Sequence, residues 1–337
     1  MSESISTQGR TVGVREVAAL AGVSRQTVSR VLNDHPEVAA STRERVLAAM
    51  DELGYRMNNA ARALGTRRTR TLGILASDAL QYGPSRSIAA IESSAREAGY
   101  WVSAAFADAA DDAAVASAVD HLIAQGVEGI VVVAPHARTL VALDISRIGI
   151  PVVTLHSAGR GARGLSVDHA AGARLAVAAL ADAGHTRIAH LAGPTDWLEA
   201  ESRVEGFQAE LADRGLPAGP VLVGDWTARS GYDAAGEIRA AGVTAVFAAN
   251  DQMALGLLTG LREAGLDVPG DVSVVGFDDI PDSAYYWPPL TTVRQDFGEL
   301  ARRAVATLIS GADAAASDLA PVAPVLVPRA SVAPPRS

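Results

Sequence analysis

Ten consecutive residues, Ser24-Arg25-Gln26-Thr27-Val28-Ser29-Arg30-Val31-Leu32-Asn33, carry the most specific chemistry in the chain. Arginine can bond guanine O6 and N7 in a bidentate fashion, and glutamine can do the same at adenine N6 and N7. A helix that presents both near its N-terminus therefore suits the major groove of DNA. Wound at about 3.6 residues per turn, Val28, Val31 and Leu32 turn to one side. Arg25 then lies beside Ser29, and Gln26 beside Arg30, on the other side. Ser24 is a good N-cap. A solvated amphipathic helix in a small bundle fits the same ten residues, so the flanking elements decide.

A second set of polar residues stands where strand-like runs end. Ligand groups in parallel sheets gather at the carboxyl ends of strands, a rule that picks out Ser77, Asp78, His156, Asp168, Asn250, Asp251, Asp278 and Asp279. Arg203 and Trp226 join them. Arg, Asn and Asp bond neighbouring hydroxyls in pairs, and an aromatic face packs on the apolar side of a pyranose, so a sugar-like polyol fits. Asn250, Asp251 and Asp168 serve equally well as helix caps, and Asp278-Asp279-Ile280-Pro281 as a plain loop.

Catalytic signatures are missing. The sequence has no G-x-x-x-x-G-K-[ST], no G-x-G-x-x-G after the first strand, no H-E-x-x-H and no G-x-S-x-G. Its seven His are scattered without metal-ligand spacing, and zero Cys excludes disulfides and thiol catalysis. No catalytic residue, metal ligand or cofactor is expected.

The elements that position these residues follow from periodicity. Val14 to Leu20 is apolar-periodic and breaks at Ala21-Gly22-Val23 before Ser24, giving helix, tight turn, helix. Ser41 with Glu44 reads as a capping box opening a third helix, with Val46, Ala49, Met50 and Leu53 on one side and Gly54 as a left-handed stop. Residues 55–65 form a helix too short to stand alone, followed by Arg67-Arg68-Thr69-Arg70. Folded on DNA, it places Leu64 as a wedge in the minor groove; alone, it is a flexible basic linker.

From Thr71 strand-like runs (Leu72 to Leu75, Val102 to Phe106, Gly129 to Val133, Val152 to Leu155, Ile188 to Leu191, Val221 to Val223, Ala245 to Ala248, Val272 to Val275) alternate with Ala-rich helical stretches. That rhythm predicts parallel sheets covered on both faces. The strands are too many for one open sheet. The fold class is an all-α helix-turn-helix head plus an α/β body of two doubly wound subdomains with a cleft between them.

Charge divides the same way. Residues 1–70 hold eleven Arg against seven acidic residues, whereas the remainder holds eighteen against thirty-one, for a net charge of −9. A basic head is joined to an acidic body. All 29 basic residues are Arg, planar forks suited to phosphate and guanine, although genomic base composition produces the same bias.

Residues 12–65 resemble the headpiece of the lactose-repressor family. The matching text is Val17-Ala18, Ala21-Gly22-Val23-Ser24, Gln26 to Val31, Asn33, Thr42-Arg43-Glu44, Val46, Ala49-Met50, Leu53-Gly54-Tyr55, Asn58 and Ala61 to Leu64. The resemblance implies that Ser24, Arg25, Gln26, Ser29, Arg30, Asn33, Tyr55, Asn58, Ala61 and Leu64 face a duplex. Arg25, Gln26 and Arg30 would read bases, Asn33 and Tyr55 would help with backbone contacts, and Leu64 would be the wedge. In the body, Ala192-Gly193-Pro194, Arg203, Gly206-Phe207, Gly224-Asp225-Trp226, Asn250 to Gly256, Val274 to Asp279 and Pro288 to Phe297 are similar to the lactose branch of that family rather than the purine branch. By that similarity Arg203, Asn250 and Asp278 would hold sugar hydroxyls, while Ser77, Trp226, Gln295 and Phe297 complete the pocket, with His156 and Asp251 as further candidates. Three residues depart from the family pattern: Gly13 replaces a capping Thr, His156 an aspartate on the sugar, and Val133 a polar residue.

The resemblance implies a DNA-binding transcriptional regulator, a repressor whose affinity for a palindromic operator changes with a sugar, a galactoside first. The alternative is a sugar-binding protein or sugar-active enzyme with a vestigial head. Expected boundaries are a disordered tail at 1–11, the DNA-binding domain at 12–57, a hinge helix and linker at 58–70 and the effector domain at 71–330. Within the last, subdomain 1 takes 71–167 and 297–324, subdomain 2 takes 168–296 and 325–330, and 331–337 is a tail. That tail has no heptad, which predicts a homodimer. No run approaches the roughly 18 apolar residues of a membrane span, and the start, Met1 to Gly9, lacks the apolar core of a signal peptide. Cytoplasmic location is therefore expected.

Overall fold

The computed structural model describes residues 12–32, 35–55, 68–133, 136–143, 145, 148–156, 164–310 and 320–336. The chain forms two units, divided between Thr69 and Arg70. In the first, helices Val14–Ala21, Arg25–Leu32 and Ala40–Glu52 share a core of Val17, Ala18, Ala21, Val28, Val31, Val46 and Ala49. The tight turn works because Gly22 takes φ +65°, a left-handed conformation that costs glycine little. Gly13 has no side chain to cap with; the Glu16 carboxylate instead accepts the Gly13 N–H at 3.0 Å. The third helix starts one residue before Ser41, with Ala39 at the cap and no side-chain cap bond, so the expected capping box at Ser41 and Glu44 does not form. The backbone carbonyl of Ala39 already takes the Thr42 and Arg43 N–H groups, which leaves Ser41 inside the first turn.

The second unit contains two sheets. The first, in the order β2-β1-β3-β4-β5, uses β1 (Thr71–Ala76), β2 (Trp101–Phe106), β3 (Ile130–Val133), β4 (Val152–Leu155) and β5 (Gly164–Leu165), all parallel. The second runs β11-β10-β9-β8-β6-β7, from β6 (Ile188–Ala192), β7 (Val221–Val223), β8 (Ala245–Ala248), β9 (Ser273–Asp278), β10 (Thr291–Arg294) and β11 (Val325–Val327). Only β11 is antiparallel. Helices cover both faces, so the strand cores are continuous apolar runs, among them Ile74, Val131, Val153 and Leu165 in the first sheet and Leu191, Val246, Phe247 and Val274 in the second.

The chain passes between the halves three times. After β5 it enters helix His169–Asp182 on the second sheet; after β10, helix Phe297–Ser310 returns to pack Leu300, Ala301 and Ala304 under the first; β11 then rejoins the second. In each sheet the strand order reverses once, between β1 and β3 and between β6 and β8. Those two points lie at the carboxyl ends that face the cleft.

Residues 331–336 are not a tail. Ser331 is fully buried; its hydroxyl donates to the Val274 carbonyl at 2.5 Å and accepts the Thr291 N–H at 2.8 Å, while Val274 N–H donates to its carbonyl. Ala333 exchanges hydrogen bonds with Ser273, and Arg336 pairs with Asp271. The segment satisfies backbone groups beside β9 and β10 that would otherwise be buried without partners, a demand set by distant strands.

Candidate functional site

The first unit offers an exposed donor face. The Ser24 hydroxyl accepts the Thr27 N–H at 3.0 Å and caps the helix Arg25–Leu32. Burying Val28 and Val31 leaves Ser24, Arg25, Gln26, Ser29 and Arg30 exposed on one side. Arg43 reaches back to the carbonyls of Val31 and His35 at 3.4 and 3.2 Å, and so holds the turn after the helix. Tyr55 is half-buried against the same core. Asn33, Asn58, Ala61 and Leu64 lie outside the described residues.

In the second unit, Gln81, Tyr82, Gly83 and Pro84 from the first half face Trp197, Glu199, Arg203, Trp226, Asn250, Asp278 and Gln295 from the second around one cavity. Its interior measures about 20 Å³, room for about one water. Among the described residues of this wall Arg203, on helix Leu198–Asp213, is the only cation, and it is buried. It donates to the Ala249 carbonyl and to His169 Nδ1, with Phe277 under its guanidinium at 4.0 Å. Asn250 caps helix Asp251–Glu263 through Met253 N–H at 2.8 Å, and its amide donates to the Trp226 carbonyl at 3.0 Å. Both expected roles, cap and cavity wall, therefore coexist in Asn250. Burial pushes Asp278 up to about 7, against the pull of Arg203, and Gln295 Nε2 donates to it at 2.5 Å. Trp226 Nε1 and Gln295 Oε1, both buried, have no partner among the described residues.

Behind this wall three groups that are far apart in sequence converge. His156 Nδ1 donates to Glu199 Oε1 in a very short bond, and His169 Nε2 lies 3.1 Å from the same oxygen. Burial would raise Glu199, but the two imidazoles hold it well below the usual carboxylate range. The ligand atoms of His156, His169 and Glu199 lie within 4.8 Å of one another, a metal-like grouping that their spacing in sequence does not suggest. Proton bookkeeping opposes that use. Arg203 can only donate, so His169 Nδ1 must accept and its proton sits on Nε2, leaving no lone pair there for an ion. Burial also keeps His169 on the neutral side.

Of the sequence candidates, Arg203, Trp226, Asn250, Asp278 and Gln295 meet at the cavity. Phe297 stands beside it, edge-on to Tyr82 at 6.1 Å, and Ser77 is buried at the end of β1 without lining the cavity. Val133 is fully buried at the end of β3. Asp251 is a correction: both its oxygens are taken inside the protein, by the Thr292 hydroxyl and the Ile280 N–H, and burial raises its pKa well above the usual value. His156 faces Glu199 and Ser87 instead of the cavity. Asp168 only caps, accepting Ala171 N–H, and Asp279 pairs with Arg294 and Arg329. Gln81, Tyr82, Gly83, Pro84, Trp197 and Glu199 line the cavity without standing out in the sequence. The i,i+4 spacing of Glu199 and Arg203 was a visible signal.

Residues 14–58 match the model for bacterial regulatory proteins of the lacI family, and residues 177–332 match that for a periplasmic binding protein-like domain. The chain is 36% identical to the lactose operon repressor of Escherichia coli (strain K12) over 97% of this chain and 94% of that protein. It is also 36% identical to the HTH-type transcriptional regulator CelR of Thermobifida fusca, over 87% of this chain and 89% of CelR. Among solved structures, a lac repressor dimer bound to operator and the anti-inducer ONPF superposes with a TM-score of 0.82 at 34% identity, covering 96% of this chain and all of that one. A CelR–cellobiose complex superposes at 0.69 with 31% identity, covering 95% and 99%.

Proposed function

Because this chain belongs to the lacI family of bacterial regulatory proteins, we propose how its two sites divide the work of a regulator. It is a sequence-specific DNA-binding transcriptional regulator, not an enzyme. A homodimer presents two copies of the helix Arg25–Leu32 to a palindromic operator. Arg25, Gln26 and Arg30 read base edges, with Ser24, Ser29 and Tyr55 on the backbone; Asn33, Asn58, Ala61 and Leu64 extend the contact, Leu64 as a wedge. No helix among the described residues is long and apolar enough to cross a membrane, and we place the protein in the cytoplasm. The effector domain spans 71–330 together with the packed segment to 336.

The effector is a neutral sugar. One observation carries this: among the described residues, a buried N–H donor on Trp226 and a buried acceptor on Gln295 have no partner, in a cavity whose single cation already faces Glu199 and Asp278. Sugar hydroxyls donate and accept, whereas a phosphate would add a third negative group. A galactoside is the first choice. A β-linked glucose disaccharide is the second, since a similar solved structure is named as a cellobiose complex. A hexose exceeds the space of about 20 Å³ beside Arg203 and Trp226, next to which about 470 Å³ opens at Tyr82, Asp278, Gln295 and Phe297; to bring a hexose from there onto Arg203 and Trp226, the halves part. If the parted and tight forms hold operator differently, sugar and operator are linked.

The test is selection of bound duplexes from a random pool by the purified protein, with and without galactosides, cellobiose and sugar phosphates. A palindrome whose yield a neutral sugar changes supports the proposal, and the direction gives induction or corepression. Response to a sugar phosphate alone overturns the ligand class; absence of any enriched sequence overturns base reading.

A further inference from the structure

His136 joins the two halves at the rim of the cleft with an acceptor on each side of its ring. It follows β3 in the first half and is buried. Its Nε2 lies 3.0 Å from Asp78 Oδ2, in the loop after β1. Its Nδ1 lies 3.1 Å from the backbone carbonyl oxygen of Asp196 and 3.4 Å from the Asp196 carboxylate, in the loop after β6 of the second half. Neither a carbonyl nor a carboxylate has a proton to give, and a neutral imidazole has only one N–H. Both contacts hold together only when the ring carries two protons.

The other groups around the ring fit a cation. Trp197 stands edge-on at 5.0 Å, and Arg138 pairs with the Asp196 carboxylate at 3.3 Å. Two carboxylates and one guanidinium leave this corner with one net negative charge, which the imidazolium neutralises. Burial opposes the charge, but the bonds to Asp78 and Asp196 outweigh it and raise the His136 pKa above its ordinary 6.5; Asp78 is lowered in turn. The other imidazole across the cleft differs. His156 Nε2 meets the Ser87 hydroxyl at 2.8 Å, a group that donates or accepts, in place of a second obligate acceptor.

We propose that His136 is a proton-sensitive pin of the cleft: its doubly protonated ring ties the first half to the Asp196 loop of the second beside the His136–Trp197 backbone bridge, and deprotonation, which leaves the remaining proton on Nε2 toward the Asp78 carboxylate, removes the side-chain part of that tie. This rests on the cleft having to part to admit its ligand. The pin is fully engaged below the ordinary histidine pKa and is lost as pH rises through the raised value, so the cleft opens more readily at higher pH. Proton concentration becomes a second input to the regulator.

The chain has no Cys, which makes specific spin labelling direct. Labels at Asp120→Cys on the first half and Glu237→Cys on the second, both exposed helix positions, report the distance between halves without any sugar, in labelled protein diluted into unlabelled. From pH 5.5 to 8.5 the tight population should fall roughly three- to tenfold, the worth of one hydrogen bond, with a midpoint above 6.5. His136→Gln should flatten the profile. Asp78→Asn, which keeps the ring, should move the midpoint down, something a merely structural contact would not do. An unchanged distance across this range, or the same profile in His136→Gln, overturns the pin and leaves the sugar proposal standing. A sugar that fails to change the distance at any pH overturns the parting of the halves instead.

Discussion

Arg203 shows how a single residue changes meaning between sequence and structure. By resemblance it is a holder of sugar hydroxyls; in the fold it is also the buried counter-charge of Glu199 and Asp278, 4.0 Å from the Glu199 carboxylate. Removing a buried charge strands its partners. Arg203→Ala should therefore destabilise the body by about 3–5 kcal/mol as well as abolish the sugar response; urea unfolding with stability unchanged would show that the carboxyl groups had adjusted by taking up protons. Arg25 has no such second role. It stands exposed on a helix whose core is Val28 and Val31, so Arg25→Ala should leave stability alone and relax base preference at one position of each half-site, by roughly 1–3 kcal/mol. Duplex selection with unchanged preference would remove it from base reading. Glu199 was legible from its spacing to Arg203, whereas the partner of His136, sixty residues on, was not.

At the scale of elements, expected and observed boundaries differ most at helix starts. In the sequence, helical periodicity is visible over Ile88 to Ala98, Val204 to Arg214 and Met253 to Ala264, whereas the helices begin at Tyr82, Leu198 and Asp251. The segments before the apolar period hold Gly83-Pro84, Glu199 and Arg203, or follow the capping Asn250. Polar and helix-breaking residues there hide the apolar period, and they are the residues that line the cleft. In helix Ala228–Ala241, Gly231 and Gly236 lower helix propensity. Gly231 earns its place by packing: a Cβ there would meet the Met253 carbonyl at 2.0 Å, and one on Gly256 would meet the Ala228 carbonyl at 1.7 Å. Gly256→Ala must push this helix pair apart, at a cost of about 1–3 kcal/mol, read as a lowered melting temperature of the body. An unshifted melt would mean that the helices separate freely and that their close approach contributes no stability.

For the whole molecule, linkage is the main constraint. If a sugar lowers operator affinity by some factor, operator must lower sugar affinity by the same factor; titrating sugar with and without saturating operator checks the equality, and a mismatch would mean that more than two states are involved. The sequence by itself determined the two-part plan, because a basic helix-turn-helix text and an alternating strand and helix rhythm are local patterns. It also marked the exposed donor face and five of the eleven cavity residues, Arg203, Trp226, Asn250, Asp278 and Gln295, since groups at strand ends and matching motifs can be read one segment at a time. Only the tertiary structure decided that His156, His169 and Glu199 share one oxygen, that Asp251 turns inward, that residues 331–336 pack beside β9 and β10, and that His136 bonds across the cleft. Each of these depends on chain segments tens of residues apart meeting within a few ångströms, and on the requirement that every buried donor, acceptor and charge find a partner there.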